Sequence, residues 1–311
     1  MSDVEIIPRG PFSLAAARGF AGGFPAGIGG GGVGAESITL AFPVEGTESS
    51  AAVELWQDAD GVVRGRTDAP DEIRAAAIRQ AARSLSLDHD GSGWPEVGDR
   101  DPVVGAAQRE LDTLRPVCFY SAYEAATSFV IGQRIARRQS AAIKRDLAER
   151  LGDRPTIAGT PVPAFPRPER LLELQEARGL TPVKVERLHG LARAAVDGRL
   201  DTEALRAMPP DEALPRLLEL PGVGPFTAEG IYYRGCGVAD GIPGADEIGR
   251  DVVSELYGIE GAGAADVLRL GEAWRPYRMW AVVLLRVAWG RRQSGPVSYR
   301  RDTRSKGPAG G

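Results

Sequence analysis

The run Leu220-Pro221-Gly222-Val223-Gly224-Pro225-Phe226-Thr227-Ala228 has the composition of a tight bend between two helices. Leu214, Leu217 and Leu218 place an apolar stripe ahead of it. Pro225 falls where a first helical turn tolerates proline, because that amide has no helical partner. Gly222 and Gly224 permit positive φ and close approach of another backbone. A helix starting at Pro225 aims its unpaired first-turn amides outward with the helix dipole behind them, and such a cluster binds an anion, a phosphodiester for instance. Further along, Ile242-Pro243-Gly244-Ala245-Asp246-Glu247-Ile248-Gly249-Arg250 leads a Gly/Pro loop into a helix read over Glu247 to Tyr257. Asp246 is a favoured N-cap there. A capping carboxylate is also a fixed one, so capping and chemistry are compatible.

Taken together, the bend and the loop resemble the helix-hairpin-helix DNA glycosylase superfamily, whose pattern is hairpin, helix, Gly/Pro loop and one catalytic aspartate. Further matches follow in order. Tyr123 to Ile135 (YEAATSFVIGQRI) resembles the family's early helix and strand-separating loop. Gly179 to Asp201 (GLTPVKVERLHGLARAAVDGRLD) resembles the helix ahead of the hairpin, and Trp274 to Trp289 (WRPYRMWAVVLLRVAW) the closing helix. The resemblance covers roughly residues 100–290. Among the branches it leans to bacterial 3-methyladenine DNA glycosylase II, including a β-rich segment ahead of the helices.

This resemblance implies a monofunctional DNA N-glycosylase of base excision repair. Such an enzyme rotates an alkylated purine (3-methyladenine type or bulkier) out of duplex DNA and hydrolyses its bond to the sugar, leaving an abasic site. Breaking that bond builds positive charge on an oxocarbenium-like sugar, which one carboxylate stabilises while it assists a water. The alkylated base is already cationic and leaves readily. Asp246 matches the family aspartate; Glu247 is the rival if the loop is registered one residue differently. Bifunctional members carry a nucleophilic lysine in the second hairpin helix. Phe226 stands at that place, which implies no lyase activity.

The same matching assigns the DNA backbone to Gly222, Val223, Gly224 and Thr227. The gap left by the rotated nucleotide is plugged from the Gly132–Ile135 loop by Gln133 and Arg134, where glycosylase II has an apolar wedge. Arg137 matches an arginine that contacts the orphaned base in 8-oxoguanine glycosylases. In the base pocket Gly230 and Arg286 replace aromatic residues, and Glu247 replaces an aromatic neighbour of the aspartate. Phe226, Trp274, Tyr277 and Trp280 are the remaining aromatic candidates, each also readable as helix-packing core. Arg286 sits in an apolar run, so it either pairs with Glu247 or Asp246 or snorkels to the surface. Val282 stands where the 8-oxoguanine branch has a glutamine, which disfavours that base. The resemblance also implies a Na+ or K+ ion on the carbonyls of Leu218, Leu220 and Val223, and no cofactor for catalysis. Two other readings stay open: a non-catalytic hairpin DNA-binding protein, and a lyase-proficient glycosylase using a nonmatching amine.

Composition narrows the field. A chain of 311 residues buries a sizeable core and holds two or three modules. No stretch reaches the ~18 uninterrupted apolar residues of a membrane span. The N-terminus lacks a basic-then-apolar leader, so a cytoplasmic location is expected, and the resemblance implies a monomer working on double-stranded DNA. Cys118 and Cys236 are the only cysteines, which excludes a disulfide framework and the four-cysteine iron–sulfur cluster of some glycosylase branches. His89 and His189 are the only histidines, against a histidine-rich metal site. The net charge of −4 is unusual for a nucleic-acid protein, but its distribution matters more. Acidic residues crowd 45–101, whereas Arg134, Arg137, Arg138, Lys144 and Arg145 cluster near the wedge loop.

The elements that must position these residues read as an α+β protein: a small N-terminal β-sheet with helices over 1–100, an all-α helix-hairpin-helix domain over 101–290, and a basic disordered tail over 291–311. Val4–Pro8, Ser37–Phe42, Ala51–Trp56 and Val62–Arg66 show partial period-two alternation. Pro11 to Phe20 reads as a short helix, and Ala21 to Gly34 as a mobile glycine-rich loop. Asp68 signals a helix start, continued by Ile73, Ala77, Ile78, Ala81 and Leu85. His89 to Pro102 is polar and turn-rich, marking the domain boundary. Phe119, Tyr123, Ala126 and Val130 recur at helical spacing, as do Ile143, Leu147 and Leu151. Arg154 to Arg170 is proline-rich and reads as a loop. Thr181 and Pro182 open a helix running to Val196, with Gly198 ending it. The resemblance places the N-terminal sheet far from the chemistry.

Overall fold

The computed structural model describes residues 3–21, 36–111, 114–244 and 247–294. Strands β1 (Asp3–Ile6), β2 (Ile38–Pro43), β3 (Ser50–Gln57) and β4 (Val63–Arg66) form an antiparallel sheet in the order β1-β4-β3-β2. Leu40 pairs with Val53 and Ala41 with Ala52. Five consecutive residues of β2 and five of β3 are buried, so both faces of this sheet are covered. That is why the alternation in the sequence is only partial. On one face Leu40, Phe42, Val53 and Leu55 pack against α1 (Leu14–Ala21) and α2 (Asp71–Ser84). The α2 N-cap is Pro70, with Asp71 and Glu72 in the first turn, rather than Asp68.

The turn-rich stretch 89–102 departs from expectation. It holds α3 (Trp94–Arg100), whose Trp94 and Val97 are fully buried. They join α4 (Pro102–Glu110) and the last helix in one apolar cluster. Local propensity is poor there, and tertiary packing overrides it. Asp101 caps α4 by accepting from the amides of Val103 (2.9 Å) and Val104 (3.2 Å). Its other oxygen accepts from Trp274 Nε1 (2.7 Å) and Tyr257 Oη (2.6 Å). The place expected to divide two domains is therefore packed core.

The remaining helices are α5 (Ala122–Gly132), α6 (Arg137–Leu151), α7 (Pro168–Leu171), α8 (Pro182–Val196), α9 (Thr202–Ala207), α10 (Pro210–Leu218), α11 (Pro225–Glu229), α12 (Glu247–Tyr257), α13 (Ala264–Gly271) and α14 (Arg278–Ser294). α11 runs on into a π-helical turn over Gly230–Gly235. Thr181 caps α8 as expected, its Oγ1 accepting from the Lys184 amide at 3.3 Å, and Gly198 follows the helix at φ +76°. The proline-rich segment after α6 is not a plain loop. It holds a small hairpin of β5 (Thr156–Ile157) and β6 (Thr160–Pro161) as well as α7. Ile157 and Ala164 lie against Ala41 and Ala52, covering the second face of the sheet. The closing helix starts at Arg278, later than expected, and continues to Ser294, so the tail begins helical. The rest of the tail and the glycine-rich loop fall outside the described residues. Among the described residues no helix is long and apolar enough to cross a membrane.

A buried ion pair joins α5 to α6. Lys144 Nζ lies 3.2 Å from Glu124 Oε1, with both side chains out of solvent. Burial pushes the Lys144 ammonium down and the Glu124 carboxyl up, and each opposes the other's shift. Glu124 also accepts from the Tyr120 amide at 3.2 Å, while the rings of Phe119 and Phe165 lie 5.8 Å from the ammonium. Removing one partner strands a buried charge, so Glu124→Ala should cost about 3–5 kcal/mol in urea unfolding. The double variant Glu124→Leu/Lys144→Met should cost far less. Equal losses would show that the pair does not act as a unit.

Candidate active site

The hairpin forms where the sequence places it. After α10, the Val223 amide donates to the Leu220 carbonyl at 3.1 Å, closing a tight turn. Gly222 sits at φ +78°, a conformation that a side chain would strain. Gly224 does not: its φ of −102° and ψ of −179° are ordinary extended backbone, and a Cβ there would meet nothing within 4 Å. Its glycine leaves the surface open instead. Pro225 takes the first position of α11. Among the described residues the amides of Gly222, Gly224, Phe226 and Thr227 have no hydrogen-bond partner. The Val223 amide is used in the turn, so it is not one of the available donors. The Leu220 carbonyl is shared with that turn, whereas the carbonyls of Leu218 and Val223 accept no hydrogen bond among the described residues.

Gln133 joins the hairpin to the loop after α5. Its Nε2 donates to the Gly222 carbonyl at 2.8 Å, and its Oε1 accepts from Arg187 Nη1 at 3.1 Å. Lys184 Nζ donates to the carbonyls of Ile131 (2.8 Å) and Gln133 (2.7 Å), tying off the end of α5. Burial and the neighbouring Arg187 hold that ammonium below its ordinary value. Gln133, expected to project as a plug, has its side chain engaged in this joint. Arg134 is the exposed residue of the loop, at φ +57°. A non-glycine residue in that region costs about 1–3 kcal/mol, which the surrounding hydrogen bonds must hold. Arg137 is exposed at the start of α6.

A cleft of about 820 Å³ opens between this loop, α11 and α14. Phe226, Thr227, Gly230 and Arg286 line it, as do Gln133, Arg134 and Arg137. Trp280 does not. It is 2 % exposed, packed between Trp94 and Tyr277, with the Arg115 guanidinium 5.1 Å from its ring. Trp274 and Tyr277 are core as well. Val282 faces a separate apolar hollow of about 40 Å³ beneath α12, which Arg286 also borders. Neither Trp280 nor Val282 lines the larger cleft.

Asp246 lies outside the described residues, as does the side chain of Glu247. The described neighbours are Gly244, whose amide donates to Glu229 Oε1 at 2.9 Å, and the first turn of α12. Glu229 and Pro243 both line the cleft. Glu229 was not foreseen as a site residue, and neither were Phe20, Phe119 and Phe129. Phe129 stands off the apolar stripe that runs from Phe119 into α5 (Tyr123, Ala126, Val130), and that displacement is its sequence signal. Phe20 belongs to α1 of the sheet region, so the N-terminal part reaches the cleft rather than standing far from it. Among the described residues no cluster of His, Cys, Asp and Glu suits a metal ion.

No family model matches the chain. It is 27 % identical over 165 residues to a DNA-3-methyladenine glycosylase of Bacillus subtilis, covering 52 % of this chain and 54 % of that one. It is 28 % identical over 229 residues to a probable bifunctional transcriptional activator/DNA repair enzyme AlkA of Mycobacterium tuberculosis, covering 69 % of this chain and 45 % of that one. The chain spans about half the length of the curated relatives it matches. Its fold is that of the 3-methyladenine DNA-glycosylase from Archaeoglobus fulgidus, with a TM-score of 0.74 and 20 % identity over 96 % of this chain and 100 % of that one. MBOgg1, solved with a low-affinity DNA ligand, superposes with a TM-score of 0.69 at 16 % identity over 94 % and 97 % of the two chains. In sequence the chain is similar to DNA-3-methyladenine glycosylases, and its fold is that of the helix-hairpin-helix DNA glycosylases.

Proposed function

We propose that this protein is a monofunctional DNA N-glycosylase of base excision repair, acting as a monomer on double-stranded DNA. It rotates alkylated purines, of 3-methyladenine type or bulkier, out of the duplex and hydrolyses their glycosidic bond to leave an abasic site. One observation carries this reading. The helix whose first-turn amides stand unpaired, α11, is also a wall of the cleft, so an anion on those amides lies beside a cavity with room for a base.

In this reading the amides of Gly222, Gly224, Phe226 and Thr227 hold one phosphate of the strand. The carbonyls of Leu218 and Val223, with that of Leu220, would hold a Na+ or K+ ion, which would supply positive charge near the phosphate. Arg134 enters the space the nucleotide vacates, with Arg137 beside the orphaned base. Asp246, or Glu247 in a register one residue later, stabilises the positive sugar and steers a water to it. A cationic base needs little further help to leave, so no catalytic cofactor is called for.

The lysines support the absence of a lyase step. The chain has Lys144, Lys184 and Lys306. Lys144 is buried against Glu124, and Lys184 is committed to two carbonyls. Lys306 lies outside the described residues. With Phe226 where a bifunctional enzyme carries its lysine, borohydride treatment on damaged DNA should trap no covalent adduct; a trapped species would defeat the monofunctional reading.

Base release from methylated duplex DNA is the direct assay. Asp246→Asn should lower it by roughly a hundredfold or more while duplex affinity stays within about twofold. Equal release by both proteins would move the role to Glu247 or elsewhere, and no release by either would leave only a DNA-binding protein. Gln133→Ala uncouples hairpin from loop, so duplex affinity should fall by about two- to tenfold, the worth of one or two net hydrogen bonds. The slope of affinity against salt should not change, since Gln133 neutralises no phosphate.

A further inference from the structure

The chain leading to Asp246 is fastened residue by residue. The Ala239 carbonyl accepts from the Met279 amide at 2.8 Å. Asp240 accepts from Arg278 Nε at 2.6 Å and from Arg275 Nη1 at 3.0 Å. Gly241 lies so close to the Tyr233 ring that any Cβ there would run into it. The Ile242 side chain fills the space beside Gly271 of α13. Last among the described residues, the Gly244 amide donates to Glu229 Oε1 at 2.9 Å. Two residues, at most about 7 Å of extended chain, separate Gly244 from Asp246.

This last hold differs from the others in where it comes from. Glu229 ends α11, the helix that offers the unpaired amides of Phe226 and Thr227 at its other end. Five residues of helix span only about 7.5 Å. Directly beyond Glu229 the chain enters the π-helical turn, whose Ile231, Tyr232 and Tyr233 are buried, so the stem of this half-buried side chain starts from core. One short, anchored piece of helix therefore faces the hairpin at one end and grips the aspartate loop with the other. What the Gly244 amide needs from position 229 is an acceptor oxygen at the right distance. Charge strengthens that bond without deciding where it lies.

We infer that Glu229 is a positioning residue of the proposed reaction, holding the Gly244 amide by the length of its side chain and so setting where the loop delivers Asp246 relative to the hairpin helix. The inference rests on the glycosylase reading for the role of Asp246. Glu229 acts through the loop rather than on the sugar. A carboxylate displaced by about 1 Å from a reacting centre loses up to about a hundredfold in rate, so a hold this near Asp246 reads out in the chemical step.

Two near-isosteric variants of the full chain separate reach from charge. Glu229→Gln keeps the stem and an acceptor oxygen and gives up the charge. Glu229→Asp keeps the charge and ends one carbon short, by roughly 1.5 Å. One readout is single-turnover release of 7-methylguanine from duplex DNA at saturating protein, with the Kd for the same duplex. The other is hydrogen–deuterium exchange at the Gly244 amide of the free protein. Glu229→Gln should keep release within about threefold of the parent. Glu229→Asp should slow release by roughly tenfold or more and speed Gly244 exchange by about tenfold. Both should bind duplex within about twofold of the parent, so the loss falls on rate and not on affinity. Suppose instead that Glu229→Gln loses release and Glu229→Asp keeps it: the charge then acts in the cleft, and the positioning role is overturned while the glycosylase reading stands. Equal release by the two variants, each melting with the parent, overturns it as well. If the parent itself releases no base, the glycosylase reading falls and exchange decides alone. Faster Gly244 exchange in Glu229→Asp only would uphold the hold on the loop, and no contrast would end it.

Discussion

Backbone amides that make no hydrogen bond within the fold are not held in place by bonds of their own, and the molecule depends on how it keeps these. An amide without a partner gains nothing from its own fold, so its position must be fixed by its neighbours. Here that falls to the Gln133 carboxamide, which grips the Gly222 carbonyl with one end and Arg187 with the other. Lys184 closes the adjoining end of α5. The bend is thereby fastened through its carbonyls, leaving four of its amides unspent. The same joint sets where Arg134 stands relative to the hairpin, because Arg134 follows Gln133 directly.

Beneath this joint the core supplies the stiffness. The Lys144–Glu124 pair locks α6 onto α5, and those two helices carry the loop between them. The sheet is tied in as well. Arg83 of α2 bonds to Glu45 and Glu203 and to the Tyr120 carbonyl, and Glu45 accepts from Thr202, which in turn accepts from the Ala122 amide at 2.9 Å. Through these groups the strand region grips α9 and the start of α5. Phe20, partly buried against all three main apolar clusters, carries the contact on to the rim of the cleft.

Much of this was legible in the chain, and what was not has physical reasons. The hairpin announced itself because glycine, proline and a preceding leucine stripe are local signals. The four strands were visible for the same reason, though burial on both faces blurred their alternation. α3 was hidden because a short helix containing Pro95 and Gly98 depends on tertiary contacts, among them those that Trp94 makes far along the chain with Trp280 and Tyr277. Side-chain direction was the weakest part of the reading. Trp280 and Val282 lie on the right helix but turn into the core, and Gln133 lies in the right loop but points down into a joint. Helical spacing places a residue on a face; it does not say what that face meets. Gly230 shows the same limit from the other side, since the Phe129 ring that fills its place comes from a helix distant in sequence.

The proposed reaction requires an extrahelical nucleotide lying in the cleft beside α11 while its phosphate sits on the hairpin. A crystal structure with duplex DNA carrying a pyrrolidine abasic nucleotide, whose ring nitrogen imitates the positive sugar, tests this most directly. The expected result is the ring in the cleft near Phe226 with the Asp246 carboxylate against its nitrogen, an adjacent phosphate on the amides of Gly222, Gly224 and Thr227, and Arg134 in the duplex gap. A nucleotide left stacked in the helix, or lodged away from Phe226 with Asp246 remote from the sugar, would contradict it.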